Sequence, residues 1–289
     1  IGDAVFDLSL RDQLVVLMEC RRVLHPSGEL TLWEDDSDEH RNSFARWAEF
    51  IGLVERSGNA GTAAWTKPSP ENAAQPLVSI LIPSCNPRYF AEALDSALAQ
   101  TWSPCEIIIC DDCETDAIEK IVATRSGPKS IRYIKNTERL RARKNYEKLF
   151  SLAQGSFLKF LNDDDVLEPA CIETLLRPLL ANPDITLSTS HRWRIDGASR
   201  VIDDMPATQE ITHSDVIVDG ITLASAVIMY GLNFIGEPST ALLRKSAFAF
   251  RPHLDGEQPF HFNGEEVRGA VDLAMWSRAL VQGDAAFIA

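Results

Sequence analysis

The sequence predicts an α/β fold: a mainly parallel sheet with helices on both faces, preceded by a smaller α/β segment. Three observations predict it. Between Leu77 and Leu161, short apolar runs alternate four times with amphipathic helical patterns. Lys67 to Pro76 carries three prolines, polar residues and no periodicity, which reads as a linker. Two of the four apolar runs end in acidic clusters, Asp111-Asp112 and Asp163-Asp164-Asp165. The chain therefore divides into residues 1–67, a linker over 68–76, and residues 77–289, the last with a first half over 77–165 and a second over 166–289.

In the first segment, Ala4 to Leu8 reads as a short strand, and Leu14, Leu17, Met18 and Leu24 recur at helical spacing. His25-Pro26-Ser27-Gly28 breaks that helix before a strand from Glu29 to Trp33. Arg41 to Ile51 reads as a helix. Leu53-Val54 and Ala63 to Thr66 read as a closing hairpin.

After the linker, Leu77 to Pro83 is a buried strand stopping at the turn formers Ser84-Cys85-Asn86-Pro87. Phe90, Ala93, Leu94, Ala97 and Leu98 mark an amphipathic helix. The strand Glu106 to Cys110, a helix through Ile118, Ile121 and Val122, the strand Ile131 to Ile134, a helix through Tyr146, Leu149, Phe150 and Ala153, and the strand Phe157 to Leu161 follow in turn. Ligands of such sheets sit beyond the carboxyl ends of the strands, where both acidic clusters lie. The alternation then fades. Ile172, Leu175, Leu176 and Leu179 mark a helix, Ile185 to Ser188 a strand, and Trp193 to Ile202 a hairpin around Asp196-Gly197. A helix over Gly220 to Tyr230 and a strand over Thr240 to Leu243 come next.

Composition narrows the function. Hydrophobic residues make up 45% of the 289, enough for a sizeable core. No apolar run reaches bilayer length and no signal segment opens the chain, so the expectation is a cytoplasmic protein without a transmembrane segment. A net charge of −14 repels phosphate backbones and argues against nucleic acid as a partner. The six cysteines do not form a small secreted framework, and Cys110-x-x-Cys113 lacks a second pair at zinc spacing. Massed carboxylates at one sheet edge are costly without a cation. Hard oxygen ligands of this kind suit Mn2+ or Mg2+. A solvated acidic turn or a cap for the next helix is the plain alternative.

Two resemblances follow from particular residues. Val5-Phe6-Asp7, Arg21 to Leu30 and Gly52 to Arg56 resemble the C-terminal part of a class I S-adenosylmethionine-dependent methyltransferase. The glycine-rich cofactor loop of that family lies in a first half that is absent here, so no methyl transfer is expected of this segment. Pro76 to Asn86, Ala97 to Trp102, Glu106 to Asp112 and Ala153 to Asp165 resemble the family 2 glycosyltransferases of the GT-A fold, in order and at sensible spacing.

The second resemblance implies roles. Pro83, Ser84 and Cys85 would hold the nucleotide base, with Cys85 where the family often has an aromatic residue. Asp112 would accept a hydrogen bond from a uracil-like imide, and Asp163 would sit near the ribose. Asp164 and Asp165 would reach a divalent metal. Arg141, among the basic residues Arg141, Arg143 and Lys144, would face the donor diphosphate. Val271-Asp272-Leu273-Ala274-Met275-Trp276 matches the segment carrying the general base, with valine where glutamate is common. Asp272 is the expected base, Glu265 and Glu266 are fallbacks, and Glu237 is a possible acceptor contact. The family usually continues beyond Ala289. The implied reaction is inverting transfer from a nucleotide-diphosphate sugar, uridine diphosphate foremost, to a glycan or other hydroxyl acceptor in polysaccharide synthesis. Three rivals are weighed: a non-catalytic nucleotide-sugar-binding or scaffolding domain, a nucleotidyltransferase, and a methyltransferase.

Overall fold

The chain divides into two compact units, Ile1–Ala74 and Gln75–Ala289. The computed structural model describes residues 29–32, 54–57 and 63–66 of the first unit. In the second it describes 75–289 apart from 206–207, 209–211, 231–232, 234, 249–259, 263–264 and 267–269. The expected strand at Ala4 to Leu8 and the expected helices around Leu14 to Leu24 and Arg41 to Ile51 lie outside the described residues.

The first unit contributes β1 (Glu29–Leu32), β2 (Val54–Ser57) and β3 (Ala63–Thr66). All pairing is antiparallel, and β3 lies between the other two. The hairpin of β2 and β3 is the one expected; β1 joins it on the far side of β3.

The second unit opens with β4 (Val78–Ser84), α1 (Pro87–Leu98), β5 (Cys105–Asp111), α2 (Ala117–Ala123), β6 (Ser130–Lys135), α3 (Arg141–Leu152) and β7 (Phe157–Phe160). Pro87 fits the first turn of α1, where a missing N–H costs nothing, and the Asn86 side chain caps the helix by accepting from the Arg88 N–H at 3.0 Å. The second half supplies α4 (Cys171–Ala181), β8 (Ile185–Ser190), the two-stranded hairpin β9 (Arg194–Ile195) and β10 (Val201–Ile202), β11 (Val216–Val218) and α5 (Gly220–Tyr230). It ends with β12 (Leu242–Arg244), the short pair β13 (His261–Phe262) and β14 (Glu265–Glu266), α6 (Val271–Leu280) and β15 (Asp284–Ile288).

Eight strands form one sheet in the order β11-β15-β8-β12-β7-β4-β5-β6. Strands β7, β4, β5 and β6 are mutually parallel. Strand β12 enters antiparallel between β7 and β8. Two features escape the sequence pattern. The edge strand β11 is only three residues long, too short to show a period. Strand β12 begins at Leu242 instead of Thr240, because the Thr240 N–H and hydroxyl both turn back to the Glu237 carbonyl.

Alternation along the central strands builds both layers. Ile80 and Ile82 pack with Phe90, Ala93, Leu94 and Ala97 of α1 and with the apolar face of α4. Leu81, Ile108 and Cys110 face the other way, against Tyr146, Leu149 and Phe150 of α3 and Met275 and Trp276 of α6. Cys110 and Cys113 thus belong to opposite layers, which separates the only C-x-x-C pair. Trp102 donates from Nε1 to the Pro76 carbonyl at 3.1 Å, so Pro76 belongs to this unit.

Gly155, just before β7, marks a close approach. A Cβ there would lie 2.7 Å from the Leu77 carbonyl oxygen, the Ser79 nitrogen and Ser79 Oγ. Two of these are backbone and cannot move aside. Gly155→Ala is therefore expected to lower the unfolding free energy by about 1–3 kcal/mol. Urea denaturation followed by circular dichroism measures it, and an unchanged midpoint would refute the close-approach argument.

Candidate functional site

The chain builds β4, β5 and β6 outward in one direction, then returns with β7 on the other side of β4. The sheet order reverses there, and a crevice opens beyond the carboxyl ends of β4 and β7. Ser84 and Cys85 leave β4 at that point, and Asp163 to Asp165 leave β7.

One carboxylate oxygen ties the two strand ends together. Asp163 Oδ2 accepts from the Cys85 N–H at 2.7 Å, the Asn86 N–H at 2.8 Å and Ser84 Oγ at 3.2 Å. Asp163 thus shapes the loop after β4 through one of its two carboxylate oxygens. The Cys85 thiol is exposed, and its pKa is raised by partial burial first and then by Asp163 and Asp112, with Arg139 opposing. These influences place Cys85, Asp112, Asp163 and Arg139 in one neighbourhood. Arg139 drew no notice in the sequence, where it is one of several basic residues in a row.

The acidic pair at the end of β5 is largely consumed by the scaffold. Asp111 is fully buried; it accepts from the Cys113 N–H at 2.7 Å, the Tyr133 hydroxyl at 2.7 Å and Lys135 Nζ at 2.9 Å. Asp112 is expected from the sequence to face a base. Its Oδ1 accepts instead from Asn136 Nδ2 at 2.9 Å and the Leu140 N–H at 2.8 Å, and its Oδ2 from the Arg141 N–H at 2.7 Å. Those two amides open α3, so Asp112 satisfies a helix N-terminus from a neighbouring strand. Only its residual acceptor capacity is open to a ligand. Arg141 takes the left-handed backbone conformation at φ 63° while its amide is held by Asp112. Its guanidinium is exposed and makes no ion pair with a described residue.

The triplet after β7 is differentiated. Asp165 Oδ2 accepts from Ser239 Oγ at 2.6 Å and Asn162 Nδ2 at 3.1 Å. The exposed Asp164 side chain bonds to no other described residue, and its pKa is raised by partial desolvation, then by Asp165 and Asp163. Two close carboxylates make its negative charge costly, which a cation would relieve.

Asp272 lies in the first turn of α6, and its Oδ2 accepts from Asn233 Nδ2 at 2.7 Å. The buried Tyr146 hydroxyl bonds to Asn162 Oδ1, and its pKa is raised by burial first, then by Asp165, Asp163, Asp164 and Asp272. Each of the four carboxylates disfavours ionisation of this phenol. Tyr146 registers in the sequence only as a core position of α3.

A cavity of about 910 Å³ adjoins the triplet beneath the β9–β10 hairpin, lined among others by Asp164, Asp165, Lys159, Arg192 and Trp193. Glu237, also on its wall, pairs with Arg192 at 2.7 Å. Lys159 is fully buried; burial lowers its pKa, while Cys171 and Asp165 oppose the shift. Of the fallback bases, Glu265 and Glu266 form β14. No group of three or more His, Cys, Asp or Glu among the described residues is placed to hold a metal alone. The residues present fit a cation that takes one or two carboxylates and completes its shell with phosphate oxygens and water.

Residues 79–248 match the family described as glycosyl transferase family 2. A Mycobacterium tuberculosis protein, MT1568, is 27% identical over 231 residues, covering 75% of this chain and 66% of that one. The putative teichuronic acid biosynthesis glycosyltransferase TuaG of Bacillus subtilis is 24% identical, covering 74% of this chain and 75% of its own. A crystal structure of S. aureus TarS residues 1–349 superposes with a TM-score of 0.55 at 17% identity, over 73% of this chain and 58% of that one. The same protein is also solved in complex with UDP-GlcNAc, with a TM-score of 0.55. The fold is thus GT-A. The chain spans about two thirds or less of several of these relatives. The family match begins at residue 79 and lends no support to the methyltransferase resemblance of residues 1–67. No helix among the described residues is long and apolar enough to cross a membrane.

The carboxylates separate by what depends on them. Asp112→Ala strands three donors at a partly buried helix start and is expected to cost about 1–3 kcal/mol of stability. Asp164→Ala, exposed and relieved of like charges, should stay within about 0.5 kcal/mol of the parent. Parallel denaturation curves of the two variants decide it, and equal losses would refute the distinction.

Proposed function

The chain belongs to glycosyl transferase family 2, and from that premise we propose that it transfers a sugar, with inversion, from a nucleotide-diphosphate donor to an acceptor hydroxyl. The observation that carries this reading is the acidic triplet at the carboxyl end of β7, tied through Asp163 Oδ2 to the Cys85 and Asn86 amides beyond β4, at the crevice where the sheet order reverses. Asp165 and Asp272 bond to Ser239 and Asn233, at 2.6 and 2.7 Å, which supports a shared site for the expected metal carboxylates and the expected base.

Asp164, with Asp165 behind it, would hold a manganese or magnesium ion. When bound, that ion neutralises charge on the leaving diphosphate. Cys85 and Asp163 lie on the side of the crevice where the nucleoside would lie, with Ser84 fully buried and bonded to Asp163 at 3.2 Å, Pro83 preceding it, and Asp112 contributing what acceptor capacity α3 leaves it. Arg141, with Arg139 in its exposed ion pair to Glu114 at 3.7 Å, supplies positive charge, which a protein of net charge −14 needs to attract a diphosphate. Asp272 takes the acceptor hydroxyl proton as the oxygen bonds the anomeric carbon and the bond to the diphosphate breaks. The cavity beneath the β9–β10 hairpin gives an acceptor glycan room beside Asp164. Uridine is the first base to test, since TarS is solved with UDP and with UDP-GlcNAc. A surface-polysaccharide acceptor fits the name of TuaG.

Calorimetric titration with uridine diphosphate tests the donor site. Binding is expected with manganese, weak without it, and lost in Asp164→Ala. Equal binding by Asp164→Ala would sink the metal role of the triplet. Asp272→Asn is expected to keep this binding and to slow sugar transfer by about 10²–10⁴-fold. Parent-like turnover in that variant would remove Asp272 as the base.

A further inference from the structure

The loop from Asn233 to Thr240 touches both the expected base and the expected metal carboxylates. At one end, Asn233 Nδ2 donates to Asp272 Oδ2 at 2.7 Å and to the Gly236 carbonyl at 2.8 Å, while its Oδ1 accepts from the Gly236 N–H at 2.9 Å. In the middle, Gly236 adopts φ 106°, and its carbonyl also accepts from the buried Trp276 Nε1 at 3.1 Å. The Thr189 and Thr240 hydroxyls both bond to the Ile235 carbonyl, at 3.0 and 2.8 Å. At the other end, buried Ser239 donates from Oγ to Asp165 Oδ2 at 2.6 Å and accepts from the Asn162 N–H at 2.9 Å.

Sheet register explains the last contact. Strand β12 runs antiparallel to β7 with Leu242 opposite Lys159. Three residues back from Leu242 is Ser239, and three residues on from Lys159 is Asn162. The serine therefore meets the strand end just where the acidic triplet begins. Its hydroxyl accepts from the Asn162 N–H in place of a ladder partner and donates its hydrogen bond to Asp165.

We propose that Ser239 is a positioning residue for the Asp165 carboxylate, and that the loop it ends couples this carboxylate to Asp272 through Asn233. One short segment then sets the separation of metal site and base. This rests on the donor-site reading above. Outer partners of metal-binding carboxylates commonly matter by 10–100-fold.

The test is manganese-dependent binding of uridine diphosphate by calorimetry, with thermal unfolding as a control. Ser239→Ala is expected to weaken that binding by about 10-fold or more, and Ser239→Thr, which keeps the hydroxyl, to restore most of it. Parent-like binding by Ser239→Ala alongside loss in Asp164→Ala overturns the proposal and leaves the donor site standing. Equal weakening by both Ser239 variants also overturns it, because volume and not the hydroxyl would then matter. Parent-like binding by Asp164→Ala overturns the proposal and the donor-site reading together. If Ser239→Ala fails to fold, Asn233→Ala decides: it releases the far end of the loop with Ser239 intact, so weakened binding supports the coupling and parent-like binding refutes it.

Discussion

The three donors that converge on Asp163 Oδ2 hold this site open in its shape. Parallel strands β4 and β7 are neighbours, but their ends would diverge beyond the last ladder bond. A charged acceptor spanning from one to the other closes that gap with the Cys85 and Asn86 amides and the Ser84 hydroxyl. Hydrogen bonds to a charged group are stronger than neutral ones. The loop after β4 and the start of α1 are consequently tied to the same residue that opens the acidic triplet. Everything that would touch a nucleotide hangs from this joint.

A graded use of carboxylates extends from it. Asp111 is sealed by Lys135 and Tyr133, Asp112 by the amides that start α3, and Asp163 by the loop after β4. Asp165 is half committed, to Ser239 and Asn162, and Asp164 is left to solvent. Each committed carboxylate orders a segment near the next, so the cost of assembling negative charge is met by hydrogen bonds except at Asp164. At that residue partial desolvation, and then the two neighbouring carboxylates, push the pKa up. A site arranged this way exposes one strong cation-seeking group on a rigid base.

The second half of the chain completes the crevice from the opposite strand direction. Strand β12 inserts antiparallel beside β7, and the turn preceding it reaches the triplet. Helix α6 packs in the layer of α3, and Asp272 in its first turn bonds to Asn233 at 2.7 Å. The catalytic reading therefore depends on two elements that lie outside the simple strand-helix alternation.

Much of this was legible in the residues alone. Apolar runs with a period of two and helices with a period near 3.6 are local signals, so β4 to β7, α1 to α4, the β9–β10 hairpin and α5 could all be read in order. The family, too, was legible, because Asp111-Asp112 and Asn162 to Asp165 follow buried strands at fixed spacing. What the linear order did not contain was the allocation of acceptors. Asp112 and Asp164 look alike in sequence, yet one caps a helix that starts nearly thirty residues later and the other faces water. Ser239, Asn233, Arg139 and Tyr146 carry no motif; the antiparallel insertion of β12 brings Ser239 to Asp165, and the packing of α3 and α6 in one layer buries Tyr146. Local periodicity determined the elements and the fold class of this protein; the partner of each polar group, a matter of long-range contact, was decided by the tertiary structure.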